Sequence, residues 1–249
     1  MENETSSAPT RVISNNNWYM PTAIVVAGIL IAGGLYAGLS SKSGNNTAGG
    51  NGAPVAVDVK NIKTEGNPFI GKANAPVVLV SWSDFQCPYC KAVEVGGVSQ
   101  IPTQASFPDL IKMYVDTGKL KIVFKDYPFL SEDSNTAAEY GRAVWELYPS
   151  QYYAWREAMY HAQDEEHGGF GNAVSIDALI KKSFPQMNVA QVKAQIVSKK
   201  DAYDAAIQAD RAEGSSMGVN GTPGFITGKT LISGADSLAT FKAAIDAQL

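Results

Sequence analysis

Cys87 and Cys90 are the only thiols in a chain of 249 residues, and they stand two residues apart in Cys87-Pro88-Tyr89-Cys90. That spacing limits what they can do for a fold. A bridge between them closes a very short loop, and the entropy a disulfide removes from the unfolded chain grows with loop length. Two cysteines also cannot build the framework of a small stapled domain. The chain must therefore fold around a hydrophobic core, in which the thiols either pack as small inert hydrophobes or are kept for chemistry, and their spacing favours the second. A close dithiol can open and close on itself: one sulfur attacks a partner and the other resolves the mixed disulfide.

The flanking pattern gives the pair a setting. Pro76 to Trp82, PVVLVSW, is a continuous apolar run of strand length, as expected for a strand buried on both faces. Pro88 suits the first turn of a helix, where its missing N–H costs nothing. Cys87 is therefore expected at the N-cap of a helix that follows a central strand. Unpaired N–H groups and the positive end of the helix dipole favour a thiolate there. Cys90, one turn further on, is expected to face the core. This assigns Cys87 as the attacking thiol and Cys90 as the resolving one.

Val55, Val57 and Val59 alternate and predict a short strand. Phe107, Leu110, Ile111, Tyr114 and Val115 keep helical spacing, ended by Thr117-Gly118, and Leu120 to Phe124 reads as a strand. Strand, helix and strand in this order make a βαβ unit. From Asn135 to about Gly218 the pattern is helical, broken by a polar, Gly-rich loop from His161 to Gly171. Ser175 is predicted to cap a helix through Lys182, and Asn188 a longer one stopped at Gly218. Gly221-Thr222-Pro223-Gly224 is a turn signal, Gly228-Lys229 a hairpin turn, and Ser237 the start of a last amphipathic helix. The class is α/β.

No charged residue lies between Arg11 and Lys42. Within that gap Pro21 to Leu39 is mostly apolar, and about 20 helical residues span a bilayer core of about 30 Å. Trp18, Tyr19 and Tyr36 flank the run as interface anchors. Residues 1–20 are thus expected to form a short N-terminal segment, 21–39 a single transmembrane anchor, and 40–54 a flexible Gly/Asn/Ser linker. A cleaved signal peptide, cut near Gly38-Leu39-Ser40, is the alternative for the apolar run. Arg11 and Lys42 balance each other, so charge does not orient the span. A dithiol that oxidises needs a non-reducing compartment, which places the bulk of the chain outside the cytoplasm at the cell membrane. The net charge of −4, without a dense basic patch, argues against nucleic acid. His161 and His167 lie too far from the cysteines for a zinc finger, so no metal site is expected.

The stretch VVLVSWSDFQCPYCKAVE resembles the active-site segment of the DsbA-like group of the thioredoxin superfamily, and Gly221-Thr222-Pro223-Gly224-Phe225 resembles that group's second signature. The resemblance covers roughly Pro54 to Leu249. It implies a thioredoxin-like domain over 55–249 with a helical insertion at about 135–218. It also implies a cis Pro223 facing the cysteines, and a Thr222 backbone that bonds an extended substrate. Pro88 and Tyr89 would border that substrate site. The only redox group implied is the Cys87–Cys90 disulfide itself, with no further cofactor.

Two departures matter. Relatives carry a buried acid six residues before the first cysteine, where this chain has Ser81. Asp84 is read either as a plain charge favouring the helix start or as a stand-in for that acid. Lys125, which pairs with the missing acid in relatives, is expected to pair with Asp126 or with water. Where DsbA has a histidine this chain has Tyr89, so it is expected to oxidise less strongly than DsbA. The expected function is a membrane-anchored oxidoreductase that donates disulfides to extended or unfolded exported proteins and is recycled by a quinone-linked membrane partner. The alternatives are a reductase or isomerase on the same fold, or a peptide-binding module without turnover.

Overall fold

The computed structural model describes residues 57–164 and 168–249. The expected N-terminal segment, anchor and linker, and His167 with its neighbours Glu165 and Glu166, lie outside the described residues. Among the described residues no helix is long and apolar enough to cross a membrane.

Five strands form one sheet: β1 (Phe69–Ile70), β2 (Val77–Ser83), β3 (Leu120–Asp126), β4 (Gly224–Thr227) and β5 (Thr230–Ser233), in spatial order β1-β3-β2-β4-β5. β2 lies at the centre, parallel to β3 and antiparallel to β4. All of its residues but Val78 are buried, as its unbroken apolar sequence requires. Val77 and Leu79 pack into the larger core, Val80 and Trp82 into the smaller one on the opposite face.

Helix α1 (Pro88–Glu94) follows β2 directly. α2 begins as α-helix at Phe107–Leu110 and widens into a π turn over Ile111–Val115 before β3. The helical insertion comprises α3 (Glu132–Leu147), α4 (Tyr152–Ala162), α5 (Ala173–Ser183) and α6 (Val189–Ser216), and α7 (Leu238–Asp246) closes the chain. The insertion thus runs from Glu132 to Ser216, a few residues earlier at each end than expected. α6 bends at Lys199, whose φ of −116° and ψ of 16° are non-helical. Gly214 lets this helix lie against β2, since a Cβ there would sit 2.7 Å from Trp82 Nε1.

Several local expectations are corrected. Val59 opens a 3-10 turn, Val59–Asn61, capped by the Asp58 side chain, so the alternating valines do not make a strand there; Val55 lies outside the described residues. Asn172, not Ser175, caps α5: its side chain accepts from Ser175 N at 3.0 Å. Both types cap helices well, and the helix starts at the earlier of the two. His161 belongs to the last turn of α4 rather than to the loop. Asn188 and Ser237 cap α6 and α7 as expected.

Candidate active site

The parallel register pairs Ser83 with Asp126, so β2 and β3 end together, and Asp84 and Tyr127 begin the loops at that edge. β4 pairs with β2 through Trp82 and Gly224. That pairing carries Thr222 and Pro223 to the same edge as the cysteines, although Cys87 lies 135 residues away from Thr222 in sequence. The Thr222–Pro223 peptide is cis.

Cys87 is the N-cap of α1, in extended conformation (φ −79°, ψ 121°), with Pro88 in the first turn. Both cysteines are free thiols. Cys87 is 4% exposed and Cys90 1%. Cys87 Sγ meets the main-chain oxygen of Thr222 at 3.3 Å. Pro88 is half-buried, Pro223 buried, and Tyr89 the exposed residue of the motif at 52%.

The two sulfurs are electrostatically unlike. The Cys87 thiol is lowered to about 7. The Cys90 thiol makes the largest contribution as a hydrogen-bond donor to the thiolate; burial opposes it, and Thr222 and the N–H groups of Cys90 and Tyr89 support it. Cys90 is pushed well above the ordinary thiol range, first by burial and then by the same contact with Cys87. At neutral pH one sulfur is therefore substantially ionised while its neighbour keeps a proton, which is what attack followed by resolution requires.

Asp84 is not a plain charge at the helix start. It is 2% exposed, and its carboxylate accepts from Gln86 N at 2.9 Å, Phe129 N at 3.0 Å and Leu130 N at 3.4 Å. It ties the loop after β3 to the loop before Cys87. Burial raises its pKa against the pull of those N–H groups. Its main-chain oxygen accepts from Cys87 N at 3.1 Å.

Ser81 is buried, and its hydroxyl has no hydrogen-bond partner. Lys125 does not pair with Asp126. It reaches across to α6, with Nζ 2.7 Å from Asp210 Oδ1 and 2.7 Å from Glu213 Oε2. With no acid at position 81 to engage it, the lysine takes partners more than eighty residues away.

A second buried group was not singled out in the sequence. Glu94, at the end of α1, accepts from Arg156 Nε of α4 at 2.9 Å, and Arg156 Nη2 also donates to Ser83 Oγ at 2.8 Å. The guanidinium lies 4.3 Å from the Phe124 ring centroid. Burial works against the arginine's charge, and Glu94 together with Tyr160 and Tyr152 more than offsets it. The sequence signals were present: Glu94 stands four residues after Cys90, on the core face of one helix, and Arg156 interrupts the aromatic run YYAWREAMY. Among the described residues no cluster of His, Cys, Asp and Glu side chains gathers in metal-holding geometry.

A dithiol at a strand–helix junction, facing a cis-Pro loop on a five-stranded sheet with a helical insertion, defines a thiol–disulfide oxidoreductase of the thioredoxin fold. A family model described as Thioredoxin matches residues 63–247, and the chain belongs to that family, in its DsbA-like group. It is 28% identical over 181 residues to the "Probable disulfide bond formation protein D" of Bacillus anthracis, covering 72% of this chain and 77% of that protein. Among solved structures it resembles the thiol-disulfide exchange protein alpha-DsbA2 from Wolbachia pipientis, with a TM-score of 0.61 at 25% identity over 74% of this chain and 87% of that one. BdbD from Bacillus subtilis shares the fold with a TM-score of 0.63 at 23% identity, over 75% and 94% of the two chains.

Proposed function

We propose that this protein is a membrane-anchored disulfide donor acting on exported proteins outside the cytoplasm. Cys87 is the attacking and attacked sulfur, and Cys90 resolves. The observation that carries the exchange chemistry is the placement of Cys87 at the N-cap of α1, its Sγ 3.3 Å from the Thr222 main-chain oxygen, with Cys90 buried one turn further on. In the oxidising direction a substrate thiolate attacks Cys87 Sγ of the disulfide and Cys90 leaves as a thiolate that takes up a proton. A second substrate thiolate then attacks the substrate sulfur of the mixed disulfide and displaces Cys87. The substrate loses two electrons and the CPYC pair gains them. A thiolate stabilised at Cys87 favours that release.

Bacillus relatives named for disulfide bond formation support the oxidising direction. The apolar segment 21–39 supports the anchor, and the compartment follows from the chemistry. Thr222, half-buried beside Cys87, is placed in this proposal to bond an extended substrate backbone, with Pro88, Tyr89 and Pro223 around it. A membrane-embedded quinone-linked partner returns the pair to the disulfide, and no other cofactor takes part. A Cys87 thiol near 7 matches the value of about 7 for thioredoxin rather than the value of about 3.5 for DsbA. This supports a milder oxidant, in keeping with neutral Tyr89.

Replacing Cys90 with Ala in cells tests the proposal. Mixed disulfides between Cys87 and exported proteins are expected, together with a mostly oxidised pair in the unsubstituted protein at steady state. A mostly reduced pair would make it a reductase. Intact peptide binding without any adduct would make it a binding module.

A further inference from the structure

Gln163, just after α4, and Phe170 and Gly171, just before α5, are held against the active-site segment by an exchange of glutamines. Gln163, one residue past the end of α4, is 6% exposed, and its side-chain Nε2 donates to the main-chain oxygens of Phe85 at 2.7 Å and Cys87 at 3.2 Å. Its own main-chain oxygen accepts from Lys91 Nζ, on α1, at 2.8 Å. In return Gln86 Nε2 donates to the main-chain oxygen of Phe170 at 3.0 Å. Gln86 is pressed so closely on Gly171 that any Cβ there would overlap its carboxamide. The helical insertion thus grips the residues on both sides of Cys87.

We infer that Gln163 is a positioning residue for the Cys87 nucleophile, fixing the backbone of the N-cap from the insertion side. This rests on Cys87 being the attacking thiol. The Cys87 carbonyl already accepts from Cys90 N at 3.1 Å and Lys91 N at 3.2 Å, the two bonds that start α1. Gln163 adds a third donor to that oxygen and fixes the Phe85 carbonyl two residues earlier. Together they hold the extended φ/ψ that aims Sγ at the Thr222 loop and at the N–H groups of the first turn. The added donor also draws negative charge from a carbonyl next to the sulfur, which favours the thiolate. The insertion is therefore part of the nucleophile's electrostatic environment as well as an outer wall.

Gln163→Met tests this. It keeps the length and volume of the side chain, removes both donors and leaves the main-chain oxygen for Lys91. The ionisable neighbours on the active-site segment, Asp84, Cys90 and Lys91, stay in place. The readout is the pH profile of Cys87 alkylation by iodoacetamide in the full-length reduced protein, with the equilibrium against glutathione alongside. The alkylation rate at pH 6 is expected to fall about threefold, as a midpoint raised by about half a unit would produce, and the glutathione equilibrium is expected to move toward the disulfide. Val144→Ala, a core truncation in α3, is the control for lost stability and should leave the profile in place. Superimposable profiles for Gln163→Met and the unsubstituted protein overturn the inference, as does a shift in Val144→Ala as large as that in Gln163→Met. An unsubstituted protein alkylated first at Cys90 overturns the assignment of Cys87 and the inference with it.

Discussion

The S–H of Cys87 donates to the Thr222 carbonyl in the protonated form, and that bond is given up when the sulfur ionises. The Cys90 thiol, the Thr222 side chain and the N–H groups of the first helical turn replace it, and they prevail over burial. This balance has a consequence for stability. An unfolded cysteine titrates near ~8.5, above the folded value of about 7. Between those values the unfolded dithiol chain holds the extra proton, so the stability of the reduced protein rises with pH. The gain is complete above the unfolded value and is lost as pH falls through about 7. Cys90, shifted the other way, opposes it only as the unfolded thiol begins to ionise. The disulfide form has no thiol proton to lose and serves as the reference. Urea unfolding of both forms should show the reduced form gaining about 1 kcal/mol on the oxidised form between pH 6 and pH 8. A difference that does not change with pH would mean that Cys87 titrates at its ordinary value.

Helix α1 has seven residues, too few to be stable alone, since isolated helices shorter than ~12–15 residues are marginal in water. Its first turn carries the chemistry and its last residue, Glu94, carries the anchor. Arg156 of α4 clamps Glu94, reaches Ser83 at the end of β2, and lies against aromatic rings of the core. Strand, helix and insertion therefore meet at one guanidinium beneath the active site. Removing one partner of a buried ion pair leaves a desolvated charge and costs about 3–5 kcal/mol, whereas replacing both with apolar residues is often neutral. Arg156→Met is accordingly expected to lower the urea-unfolding free energy by about that amount, and the double variant Glu94→Leu/Arg156→Met to recover most of it. If the double variant were as unstable as the single one, packing around Arg156 rather than its charge would hold α1 in place.

At the scale of the whole molecule, the legible features were those whose cause is local. The unbroken apolar run of β2, Pro88 at a helix start, Asn188 and Ser237 as caps, and the turn at Gly228-Lys229 could all be read from neighbours in sequence. The meeting of Thr222-Pro223 with Cys87 became legible only through a family resemblance. Features whose cause is distant were not legible at all. Asp84 is defined by N–H groups at positions 129 and 130, Gln163 by carbonyls nearly eighty residues earlier, and Lys125 by acids on α6. The Lys125 cluster fastens the sheet to the helical insertion: β3 supplies Lys125 and Asp126, α3 supplies Arg142, and α6 supplies Asp210 and Glu213. Arg142 forms ion pairs with Asp126 Oδ2 at 2.7 Å and Asp210 Oδ2 at 2.6 Å. Three acids thus face two bases, and the arithmetic sets the outcome of substitution. Asp210→Asn leaves two matched pairs, Lys125 with Glu213 and Arg142 with Asp126, and should cost only about 1 kcal/mol, the worth of a weakened hydrogen bond. Lys125→Met leaves three acids against one arginine in a buried site and should cost about 3–5 kcal/mol. Because the cluster joins the sheet to both ends of the insertion, tryptophan fluorescence and far-UV circular dichroism should lose their signals in a single coincident transition in both variants. A larger loss in Asp210→Asn than in Lys125→Met would mean that Asp210 ties the sheet to the insertion through the hydrogen bonds its two carboxylate oxygens accept from Lys125, Arg142 and the Asp126 main chain, and not by charge balance.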